Sequence, residues 1–125
     1  MSDCGVCIYS DCDEYGYSDF CYVDVRKARK PHRCCECGKQ IEAGEKYEHS
    51  RSKFDGDFSS CDTCLICVEI GEAFYCDGRM IGGGLWDNMD YVMDRLTTSC
   101  FDKLKTPEAK AELRRRWIEW KGLHA

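Results

Sequence analysis

Two close cysteine pairs, Cys34-x2-Cys37 and Cys64-x2-Cys67, are the residues of this chain whose type and spacing speak most directly of chemistry. A Cys-x2-Cys turn aims two thiolates at one cation, and two such turns supply the four sulfurs of a tetrahedral zinc site. Gly38 follows the first pair and lets the chain fold back tightly, while the amides of such a turn can donate to the sulfurs. Four thiolates close the coordination sphere, so the spacing argues for a structural ion.

Cys61 leaves a choice, because Cys61-x2-Cys64-x2-Cys67 contains two overlapping pairs. Cys64 and Cys67 are preferred, since they fall where a helix should begin and its positive end favours thiolates. Cys61 with Cys64 is the alternative. Cys35 sits between two ligands, would point away from their metal, and reads as a small buried or free thiol. Cys4-x2-Cys7 is a third pair, which Cys12, Cys21, Cys61 or Cys76 could complete as a second metal site. One Zn2+ is therefore expected, and two if that site forms. His32 and His49 read as surface or packing residues with ligation as the alternative, and His124 as solvated.

Catalytic readings find little support. No His-x-Glu accompanies the cysteine pairs as in a zinc deaminase. Gly82-Gly83-Gly84 lacks the Lys-Ser/Thr of a phosphate loop, and no thioredoxin-like strand and helix pattern surrounds any Cys-x2-Cys. No enzyme is expected.

The elements that must position the cysteines follow from the intervening residues. Asp55-Gly56 is a strong two-residue hairpin signal inside 46–60, between the two pairs. After it, Ile66, Ile70 and Phe74 recur at helical spacing, so a short helix should start near Thr63. Further on, Leu85, Met89, Val92, Met93 and Leu96 share one helical face. Thr106-Pro107-Glu108 is a helix start, and a last helix over about 107–121 places Ala109, Leu113, Trp117 and Trp120 on its apolar side. The expected fold class is α+β: a small zinc-stabilised core like a treble clef or zinc ribbon, made of knuckle, β-hairpin and helix, with C-terminal helices. Three pieces are expected, an acidic cysteine-rich and loop-rich arm over 1–27, a zinc-binding module over 28–75, and a helical region over 76–125 packing on it.

Composition agrees with that reading. Twelve cysteines in 125 residues is the usage of a chain stapled by metal or sulfur rather than by a large core. No apolar run is long enough to span a membrane, and Met1-Ser2-Asp3-Cys4 lacks the start of a secretory signal, so a reducing, cytoplasmic setting is expected. The net charge of −5 opposes polyanions overall, yet it is unevenly spread. Residues 1–25 hold acids and no Lys or Arg, whereas 26–33 hold Arg26, Lys27, Arg29, Lys30 and Arg33 and no acid.

The segment from Ala28-Arg29-Lys30-Pro31-His32-Arg33-Cys34-Cys35-Glu36-Cys37-Gly38-Lys39 through Ile41, Gly44-Glu45, Tyr47-Glu48 and Phe54-Asp55-Gly56 to Thr63-Cys64 and Cys67 resembles a group of small cysteine-rich zinc-binding proteins of bacteriophages and prophages. The similarity covers about 28–70, with weaker echoes in Leu85-Trp86-Asp87 and the last basic helix. It implies zinc on Cys34, Cys37, Cys64 and Cys67 and a location in the bacterial host cytoplasm, and it brings no activity with it. Two binding roles remain. In the first, the protein docks on a host or phage protein, such as a component of host defence or transcription that it would inhibit, with Trp86 as an aromatic anchor. In the second, basic patches 26–33 and 114–121, the latter with Arg114, Arg115 and Arg116, contact nucleic-acid phosphates. No membrane partner is expected.

Overall fold

The computed structural model describes residues 5–8, 20–54, 57–75 and 84–123. Its architecture is α+β, with two small antiparallel sheets and helices that share one core. β1 (Phe20–Lys27), β4 (Lys46–Phe54) and β5 (Asp57–Cys64) form the larger sheet in the order β1-β4-β5. Phe54 pairs with Asp57 as the expected hairpin over 46–60 requires, and Asp55-Gly56 lie outside the described residues. At its other end Tyr47 lies opposite Cys64, and the strand runs straight into α1 (Leu65–Phe74). β2 (His32–Arg33) and β3 (Gln40–Ile41) make a second, two-stranded ribbon whose closed end is the Cys34–Lys39 turn.

The arm expected to be loop-rich up to residue 27 ends instead in the eight-residue strand β1. Tyr22, Val23 and Val25 suit a pleated surface, and β4 offers an open edge that takes all eight residues in register. At the other end of the described arm, Ile8 donates its N–H to the Phe74 carbonyl at 2.9 Å and bridges Tyr75. Val6 and Ile8 are thereby buried.

In α1, Cys67, Ile70 and Phe74 fall at three- and four-residue spacing and turn inward together. The expected helix over Leu85–Leu96 is shorter: α2 spans Leu85–Asp90, and a 3-10 turn over Met93–Arg95 follows. The break comes at Tyr91-Val92, an aromatic and a β-branched residue of modest helix propensity. Leu85, Met89, Val92, Met93 and Leu96 are nevertheless all buried. A second 3-10 segment covers Thr98–Lys103, and α3 runs Pro107–Leu123. The Thr106 hydroxyl accepts the Ala109 N–H at 3.2 Å as an N-cap. Glu69 of α1 reinforces that start by accepting the Lys105 and Thr106 amides at 2.6 and 3.0 Å and the Thr106 hydroxyl at 2.8 Å. These bonds hold the Glu69 carboxyl below its usual range against the opposing effect of burial. Ala109 and Leu113 are buried, while Trp117 and Trp120 pack half-buried on the same core. No described helix is long and apolar enough to cross a membrane.

Candidate metal centre

The Cys34–Lys39 turn is built by its own backbone. Gly38 donates to the Cys34 carbonyl at 3.0 Å and Cys34 donates to the Lys39 carbonyl at 2.9 Å. Gly38 adopts φ 77°, a left-handed conformation that a side chain at that position would strain. The second pair comes from a different junction: Cys64 is the last residue of β5 and the N-cap of α1, and Cys67 lies in the first turn of that helix. Turn and helix start meet because β2 and β5 are neighbours, with Cys35 donating its N–H to the Asp62 carbonyl at 2.9 Å.

The result is a cluster in which the sulfurs of Cys34, Cys37, Cys64 and Cys67 all lie within 4.8 Å of one another. Cys34 and Cys67 are buried, Cys37 and Cys64 are half-buried, and all four are free thiols. Such a set of four soft donors can hold a metal ion. Donors already point at the sulfurs: the Glu36 and Cys64 amides reach Cys34 Sγ at 3.4 and 3.3 Å, and the Trp86 indole N–H reaches Cys67 Sγ at 3.4 Å. Crowding divides the protons unevenly. Hydrogen bonds from Cys37, Cys64 and Cys67 pull the Cys34 thiol far down, and the Cys34 sulfur is the main cause pushing Cys64 and Cys67 up. Cys37 is lowered to about 7, Cys34 raising it and Cys64 and Cys67 outweighing that. A bound divalent cation reverses this logic, because its charge favours all four thiolates at once.

The remaining cysteines fall elsewhere. Cys35, expected to be a small buried or free thiol, is exposed and bonded to Cys61, with the two Cα atoms 6.2 Å apart. Its side chain leaves the turn on the side of β5, where Cys61 stands three residues before Cys64, so the alternative ligand Cys61 is tied to Cys35. Cys4, Cys12 and Cys76 lie outside the described residues, as do Gly82 and Gly83, while Gly84 is the N-cap of α2 with φ 94°. Cys7 sits half-buried in the segment that meets Phe74 and Tyr75, and its sulfur, like that of Cys100, is in a disulfide. His32 and His49 lie outside the thiol cluster and share one carboxylate. Their Nδ1 atoms face Asp62 Oδ2 at 3.2 Å and Oδ1 at 2.8 Å.

Surrounding residues lock the centre to the helices. Glu36 of the turn accepts the Leu85 amide at 3.4 Å at the start of α2. Lys39, one residue past Gly38, donates to Glu112 of α3, which also takes Arg115 and, at 2.9 Å, Arg116. Glu112 is a buried carboxylate. Burial would raise its pKa, but the bonds from Lys39, Arg115 and Arg116 outweigh that and hold it at about 2. Trp86 is half-buried over Cys67, with the Arg116 guanidinium 3.9 Å from its ring centre. Arg115 also pairs with Glu119 at 2.7 Å, and Arg114 lies over the Phe101 ring. The three arginines and the tryptophan that sequence marks for partners therefore all have internal contacts. The Trp86–Cys67 and Lys39–Glu112 pairings carry no signal in the sequence, since the partners lie 19 and 73 residues apart, whereas Arg115 and Arg116 stand three and four residues after Glu112.

Comparison with protein-family models, with curated proteins and with solved structures found no match to this chain.

Proposed function

We propose that Cys34, Cys37, Cys64 and Cys67 hold one structural Zn2+ and that the chain is a non-catalytic docking module. The single observation that carries the reading is the four free sulfurs gathered within 4.8 Å. Four thiolates at one site favour zinc among the common divalent ions, and they leave it no open position for substrate or water. The order of turn, hairpin and ligand-bearing helix supports a treble-clef description of the core. The resemblance to phage and prophage proteins supports a bacterial host setting and a host or phage protein as partner, while the Cys35–Cys61 disulfide departs from the reducing surroundings that the sequence led one to expect. The surface offered to it is the outer edge of β1, which no described strand covers and on which Tyr22 and Val25 are more than half exposed. An extended segment of a partner would pair there as a fourth strand.

Elemental analysis of the purified chain tests the metal, and strong chelation followed by circular dichroism tests its structural role. One zinc per chain and loss of structure on chelation support the reading, because structural zinc contributes on the order of 10–16 kcal/mol in small modules. A metal-free chain with an unchanged spectrum overturns it. Capture from host cells with Val25→Pro as control tests docking; a specific protein retained by the parent and equally by the variant rejects the β1 edge.

A further inference from the structure

We propose that the groove at the end of β1 binds the phosphodiester backbone of single-stranded nucleic acid. Arg26, Lys27, Arg29, Lys30, His32 and Tyr47 line it, around a volume of about 800 Å³. Beside the lining residues, Lys46 of β4 stands directly opposite Lys27 of β1 in the sheet register. Like charges placed opposite each other in a ladder repel, and a chain with net charge −5 has acids enough to separate them. Only Arg26 among these cations is given one. Asp24 pairs with Arg26 at 2.9 Å, while the side chains of Lys27, Arg29, Lys30 and Lys46 have no hydrogen-bond or ion-pair partner among the described residues.

The cations stand on fixed backbone. Ala28 donates to the Glu45 carbonyl and accepts from the Gly44 amide, both at 2.8 Å, which clamps the turn bearing Arg29 and Lys30 onto the start of β4. The ring offered is that of half-buried His32, which stacks on the buried Tyr47 with ring centres 4.8 Å apart and is steadied by Asp62. A cationic track beside aromatic rings is the arrangement that single strands use, phosphates on the charges and a base against a ring. An acidic peptide would satisfy the charges and leave the His32 ring idle. The second basic patch has internal partners, since Arg115 and Arg116 pair with Glu112 and Arg114 lies over the Phe101 ring.

The inference uses the metal-stapled fold but not the protein-docking reading, and zinc measured on the same samples separates its failure from that of the metal assignment. The probe is a labelled oligothymidylate of about twelve nucleotides, titrated with the zinc-loaded full chain by fluorescence anisotropy over a range of salt. Phosphate contacts carry no sequence, so a homopolymer is a fair ligand. The expected result is binding that weakens steeply with salt. Lys27→Ala with Lys30→Ala should weaken it about tenfold or more at low salt and reduce the slope of log affinity against log salt by about 1.4, roughly 0.7 for each lost phosphate contact. Lys105→Ala with Lys110→Ala, which removes the same charge elsewhere, should change neither. No binding at low salt, equal losses in the two double variants, or displacement by poly-glutamate as effective as by unlabelled oligonucleotide would each overturn the proposal.

Discussion

The indole nitrogen of Trp86 donates its hydrogen to the sulfur of Cys67 across 3.4 Å, while Arg116 covers the ring. A residue that the sequence offers as an exposed anchor thus serves the thiol cluster. Hydrogen bonds of this kind orient a ligand and spread its negative charge. Trp86→Phe keeps most of the ring and deletes the donor, so it should lower metal affinity about tenfold with the fold retained. Competition against a chromophoric chelator measures it; unchanged affinity would show the bond to be incidental.

Replacing Cys34, Cys37, Cys64 or Cys67 by Ser should each abolish stoichiometric metal binding and unfold the region around β4, β5 and α1. Cys61→Ser should retain the metal, because that sulfur is bonded to Cys35. Metal content and thermal melts of the five variants decide between the ligand set and its alternative. Metal lost from Cys61→Ser and kept by Cys67→Ser would move the second pair to Cys61/Cys64.

Cys35→Ser and Cys61→Ser remove the same bond, so each should cost about 3 kcal/mol under oxidising conditions and the double variant no more than either. Denaturant melts test the non-additivity. Summed losses would mean that the two sulfurs act independently.

Glu112 makes stability depend on acid. Its folded pKa of about 2 lies below the ordinary carboxyl value of 4.5, so its contribution is complete above about pH 4.5 and is lost as pH falls toward 2. Allowing for solvent at Lys39 and Arg115, that contribution is about 2 kcal/mol. Glu112→Gln should be less stable at neutral pH and should show a flatter decline between pH 4.5 and 2. Parallel curves for parent and variant would contradict the assignment.

The Thr106 cap is shared by two helices through Glu69. Thr106→Ala should cost about 1 kcal/mol. Glu69→Ala should cost a similar amount, and the pair together less than the sum, because the two side chains serve one helix start. A double-mutant cycle in urea checks this.

The two close cysteine pairs, the hairpin between them, the helix after the second pair and the Thr106-Pro107 start of α3 are all legible in the sequence, because each is fixed by neighbours within one turn or one strand. Cys-x2-Cys spacing, a glycine at positive φ and three- or four-residue apolar recurrence are local constraints, and the two pairs together make up the four-sulfur set of the proposed metal site. Tertiary structure decided what depends on meetings across tens of residues. Twelve cysteines allow many pairings, and only the packing of β2 on β5 brings Cys35 to Cys61 while leaving four thiols together. The strand at Phe20–Lys27 needed the open edge of β4 to form, and its register alone set Lys27 against Lys46. Trp86 and Arg114–Arg116 look alike as exposed recognition residues or as internal props until α2 and α3 are folded over the cysteine cluster. Side-chain partnership at such separations follows from where helices pack, and composition and periodicity do not contain that.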